Sequence, residues 1–118
     1  MLRTAHKIIA GLMIALGSIH ILFTFYDYDE FSLQALWFAS AGVAIILAGF
    51  LNIILLRDVG KDKVVLLLCV ITNIIFAAMF SIVLYLMQQP QVFFGIGLFA
   101  AATILALLIP RTENNSRV

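Results

Sequence analysis

Charged residues make up only 11% of this 118-residue sequence, while 64% of it is apolar and its mean hydropathy is +1.17. That excludes an ordinary soluble domain, whose apolar share is nearer half. Cysteine occurs once, at Cys69, so the chain cannot close an internal disulfide. A lone thiol inside an apolar run reads as a small packing residue. Proline occurs twice, at Pro90 and Pro110, which leaves long stretches unbroken. Those stretches lack polar alternation, which argues against strands, and four strands could not close a barrel in any case. Also missing are a glycine-rich phosphate loop, an HExxH helix and a G-x-S-x-G turn, the marks of nucleotide, zinc-hydrolase and serine-nucleophile sites.

What the sequence does contain is four apolar runs, at about Ile8–Tyr26, Ala35–Leu56, Val64–Met87 and Val92–Ile109. Each has the roughly 17–25 residues that a helix needs to cross a hydrocarbon core of about 30 Å. The expected fold is all-α: one integral membrane domain over residues 1–118, built as a four-transmembrane-helix antiparallel bundle. Met1–Tyr26 is read as a first span and not as a leader, because its apolar stretch outruns a leader core and meets Phe23-Thr24-Phe25-Tyr26 without a small-residue cleavage pattern. Gly60 marks the turn between the second and third helices, Pro90 separates the third from the fourth, and Pro110 ends the last before a polar tail. The connections are too short for a folded soluble domain, so function is expected in the membrane or at its edge.

Threading four helices puts Arg3, Lys7, Arg57, Lys61, Lys63, Arg111 and Arg117 on one side, and leaves only Asp27, Asp29 and Glu30 on the other. Short Lys/Arg-rich loops stay cytoplasmic, so both termini are expected inside. Membrane lipids are the expected partners of these cations, in preference to nucleic acid.

Small residues let membrane helices approach closely. They fall on heptad seams here: Ala10, Gly17 and Thr24 with Met13 and His20 on the first helix, and Ala35, Gly42 and Gly49 with Asn52 one turn beyond on the second. The third offers Cys69, Asn73, Phe76 and Phe80. The fourth offers Gly95, Gly97, Ala100 to Ala102 and Thr103. Intramembrane polar residues then sort by depth. An inner layer holds Asn52, Thr72, Asn73 and Thr103, and the amides of Asn52 and Asn73 are expected to bond between helices. An outer layer holds Ser18, His20, Thr24, Ser40 and Ser81, bordered by Tyr26, Tyr28, Trp37 and Tyr85.

His20 is singled out because an ionisable group in hydrocarbon raises a functional hypothesis by default. It lies about 9 Å below the end of its helix. A bonded packing histidine, a ligand-binding group and a proton or metal site all remain open for it. His6 is placed at the inner interface, about 21 Å along the same axis, so one chain cannot supply both imidazoles to one haem. No further metal ligand shares the depth of His20.

Gly17-Ser18-Ile19-His20 in the first helix, with Trp37-Phe38-x-x-x-Gly42 and Gly49 in the second, resembles a group of small bacterial four-helix membrane proteins of unassigned function. The resemblance covers roughly Ile8 to Leu56. It implies a bacterial cytoplasmic membrane and a four-helix fold, and it supplies no reaction. Small multidrug transporters are similar only in length and helix count, since they carry a membrane-embedded glutamate that this chain lacks.

The leading expectation is therefore a small non-enzymatic membrane protein, an accessory subunit or a binder of lipid-like molecules. Its ligand-binding residues would be His20, Thr24, Trp37, Ser40, Ser81 and Tyr85, with no catalytic or metal site and an unknown cofactor. A larger membrane complex or a homo-oligomer would be its setting. The alternatives are a homo-oligomeric, proton-coupled transporter or channel using His20, and a redox protein holding haem or quinone between subunits.

Overall fold

The computed structural model describes residues 2–27, 29–30, 32–58 and 62–108, apart from the side chains of Asp27 and Asp58. Tyr28, Gly60, Lys61, Ile109, Pro110, Arg111 and Arg117, all given a place by the sequence, lie outside the described residues. Within them the chain forms four helices: α1 (Leu2–Asp27), α2 (Leu33–Asp58), α3 (Lys63–Leu86) and α4 (Pro90–Leu108). No strand occurs among the described residues. Each helix is long and apolar enough to span a membrane.

Local chemistry fixes where these helices start. Ser32 Oγ accepts the Ala35 N–H at 3.1 Å, which satisfies one of the orphan donors of α2. Asp62 does the same for α3 by accepting the Val64 N–H at 2.9 Å. Pro90 opens α4 at the first helical position, where its missing N–H costs nothing and its fixed φ suits the helix. The boundary of α1 differs from the apolar run: the helix extends back from Ile8 to Leu2. That extra length brings His6 into the packed part of the bundle.

Successive helices run antiparallel and pack side by side, and α4 closes the ring on α1. The α1–α2 pair is the most intimate. A methyl group on Gly17 would stand 2.6 Å from the Gly42 carbonyl oxygen, and one on Gly42 would stand 2.7 Å from the Gly17 carbonyl oxygen. The two backbones therefore meet at a distance that only glycine permits on both sides. Ala10, Met13, Gly17 and Thr24 of α1 and Ala35, Gly42, Gly49 and Asn52 of α2 are all buried, so both heptad seams are the observed interface. On α4, Gly95 and Ala102 face inward, whereas Gly97 and Ala100 are exposed.

Across the middle of the bundle, Met13, Leu16, Ile45, Ala48, Leu98, Phe99 and Ala102 form one buried apolar layer, closed on the α3 side by Phe76, Ala77 and Phe80. The Phe99 ring is sandwiched there, stacked on Phe76 at 4.8 Å and on Phe80 at 5.8 Å. The least enclosed helix is α3, in which only Cys69 and Asn73 are buried. Both belong to the polar site described next.

Candidate functional site

The two ends of the bundle differ in charge. One, the basic end, holds the start of α1, the end of α2 and the start of α3, with Arg3, Lys7, Arg57 and Lys63. The other holds Asp29 and Glu30. Just inside the basic end, three buried side chains, His6 of α1 and Cys69 and Asn73 of α3, converge on the buried amide of Asn52 on α2.

Asn52 Nδ2 donates to the Ala48 carbonyl of its own helix at 2.8 Å and to Asn73 Oδ1 on α3 at 2.9 Å. Its Oδ1 accepts from His6 Nε2 on α1 at 2.8 Å, from Asn73 Nδ2 at 3.0 Å and from Cys69 Sγ at 3.2 Å. The two amides thus face each other in a reciprocal pair, and the residues expected to bond between helices do so with each other. Met13 Sδ lies 3.6 Å from Asn52 Nδ2, roofing the cluster toward the apolar layer.

This arrangement assigns the histidine tautomer. The Ala48 carbonyl can only accept, so the amide nitrogen must face it and the amide oxygen must face His6. The ring nitrogen opposite that oxygen then carries the hydrogen, and in the neutral ring Nδ1 is the bare lone pair. Nδ1 has no partner among the described residues, although the side chain is fully buried.

The chemistry open to the cluster is limited. Cys69 and His6 both donate to the same oxygen, so the imidazole lone pair does not receive the thiol proton, and the pair is not arranged as a nucleophile and its base. No three His, Cys, Asp or Glu side chains gather at metal-binding distance among the described residues. What the cluster does supply is register. Each amide left without its partner in this apolar surrounding would forfeit hydrogen bonds worth about 1–3 kcal/mol, and the partners lie on three different helices.

The six outer-layer residues are placed differently. His20 is half-buried and lies flat against Phe38 of α2, with ring centroids 4.0 Å apart and an interplanar angle of 19°. Its Nε2 is buried and has no hydrogen-bond partner among the described residues. Thr24 is buried beside it on the seam, its hydroxyl turned back to the His20 carbonyl at 3.3 Å. These two come together. Ser40 Oγ donates to the Leu36 carbonyl and Ser81 Oγ to the Ala77 carbonyl, both at 2.8 Å, so each hydroxyl is satisfied by its own helix. Trp37 and Tyr85 are 68% and 86% exposed and face away from the bundle. The structure therefore joins His20 and Thr24 to Phe38, a residue absent from the expected set, and does not enclose the other four with them.

His6 is the residue that the sequence reading left at the interface. Its signal was present in the spacing of His6, Ala10, Met13 and Gly17, which continues the α1 seam by one turn. No protein-family model, curated protein or solved structure matches the chain.

Proposed function

We propose that the chain is a small non-enzymatic protein of the bacterial cytoplasmic membrane, with both termini inside, which serves as an accessory subunit or binds lipid-like molecules beside His20. The observation that carries this reading is the apolar layer from Met13 to Ala102, which separates the two histidines. A conduit for protons within one chain would need polar groups or water through that layer, and its side chains offer none. The inner polar groups are engaged in holding α1, α2 and α3 together, a structural duty. His20 differs from His6 in that its ring is only half-buried, while its Nε2 has no partner among the described residues and so keeps hydrogen-bonding capacity. Outward-facing Trp and Tyr suit the membrane interface, where an amphiphile presents its polar group.

Native mass spectrometry after gentle extraction tests the reading. The wild-type chain is expected to retain a lipid-like adduct or a companion chain, and His20→Phe to lose it while keeping its fold and oligomeric state. A His20→Phe protein with unchanged adducts would defeat the binding proposal. Topology is checked separately: Lys61 and Lys63 should react with an impermeant amine reagent only in broken cells.

A further inference from the structure

A groove opens at the basic end on the surface of the α1–α2 pair. Arg3, Lys7 and Gly11 follow one another at four-residue steps on α1 and so share a stripe, and Ile53, Leu56 and Arg57 face them from the last turns of α2. Together they line an open volume of about 500 Å3. Arg3 is pinned at its rim: Nη2 donates to the Leu56 carbonyl at 3.1 Å, one of the last four carbonyls of α2, which have no partner within the helix. Among the described residues the rest of the guanidinium has no hydrogen-bond partner and presents a donor fork.

Two features of the groove point to an amphiphilic anion. The first is charge. Three cations from two helices line it, and no ion pair joins them to a carboxylate among the described residues. The second is shape. Nothing lies within 4 Å of where a Cβ on Gly11 would sit, unlike Gly17, whose bare backbone is demanded by a neighbouring helix. Glycine weakens a helix interior, and at position 11 it leaves the wall of the groove open on the side toward the bilayer.

We propose that this groove binds an anionic phospholipid, its phosphate held among Arg3, Lys7 and Arg57 and one acyl chain lying over Gly11 against Ile53. Arg and Lys are well suited to a phosphate, by fork and by point charge respectively. The site lies at the opposite end of the bundle from His20, so its test and the His20→Phe test succeed or fail independently.

Native mass spectrometry of the full chain titrated with phosphatidylglycerol or phosphatidylcholine reads the binding. The wild type is expected to prefer phosphatidylglycerol by about tenfold, and the Lys7→Gln, Arg57→Gln double variant to lose about tenfold or more of that affinity. Gly11→Leu, which fills the groove without altering charge, should weaken binding by a similar factor, and Lys63→Gln, at the same end but outside the groove, should leave it unchanged. Lys7 and Arg57 are exposed, so the double variant decides the matter even if Gly11→Leu folds poorly. Excess inorganic phosphate should not displace the lipid. Equal losses in Lys63→Gln and the double variant would reduce the effect to diffuse surface charge, and displacement by inorganic phosphate would show a site for the free anion; either result overturns the proposal.

Discussion

His6 and His20 sit on one helix, yet their surroundings differ in kind. His6 is fully buried and donates to an amide oxygen that also ties α2 to α3. His20 is half-buried and stacked on the Phe38 ring of α2. The basic end is thus cross-linked by side-chain hydrogen bonds through three helices, whereas at His20 the α1–α2 pair is held by close packing. In hydrocarbon, where apolar surface gives helices little reason to associate, such differences decide which part of a bundle is rigid.

Substitutions can break or sharpen this contrast. The largest effect is expected at the backbone contact that both ends share. Gly17→Leu would drive a side chain into the Gly42 main chain and Ile46, and should lower stability in mixed micelles by about 3 kcal/mol. Next comes Asn52→Leu, which removes the common partner of His6, Asn73 and Cys69 and should cost about 2 kcal/mol in the same unfolding measurement. His20→Phe retains a ring for Phe38 at similar volume, so about 1 kcal/mol is expected. Smallest are Ser40→Ala and Ser81→Ala, whose hydroxyls bond only their own helices; their melting curves should overlie the wild type within about 0.5 kcal/mol. If His20→Phe proved as damaging as Asn52→Leu, the assignment of the rigid end would be reversed.

Most of the architecture was legible because it depends on quantities that a sequence displays directly. Run length gave four helices, and small residues at seven-residue spacing gave the α1–α2 interface. The Asn52–Asn73 bond followed from the rule that a buried amide seeks a partner. Depth along an axis was harder to read, because apolar run length marks where hydrocarbon begins and not where a helix begins. His6 therefore looked interfacial, although α1 starts at Leu2 and the seam spacing already included it.

Rotation about the axis matters as much as depth. Trp37 and Ser40 have the right depth for the outer layer, but at 100° per residue they point roughly 200° and 140° around α2 from Ala35, away from the seam. Sorting by depth alone joined residues that the helix turns to different faces. The pairing of His20 with Phe38 needed the antiparallel register of α1 and α2, which the Gly17–Gly42 contact fixes and which no single run reveals. The groove at the basic end is of the same kind, since Arg57 meets Arg3 and Lys7 only once that register is set.

The central claim is that His6 and Asn52 are directly bonded and that this bond helps to hold the basic end together. A double-mutant cycle with His6→Phe, Asn52→Leu and the combined variant, read as unfolding free energy in the same micelles, tests it most directly. A coupling of about 1 kcal/mol is expected, with the double variant less damaged than the two single losses together would imply. Strictly additive losses would contradict the bond and the inner tie that rests on it.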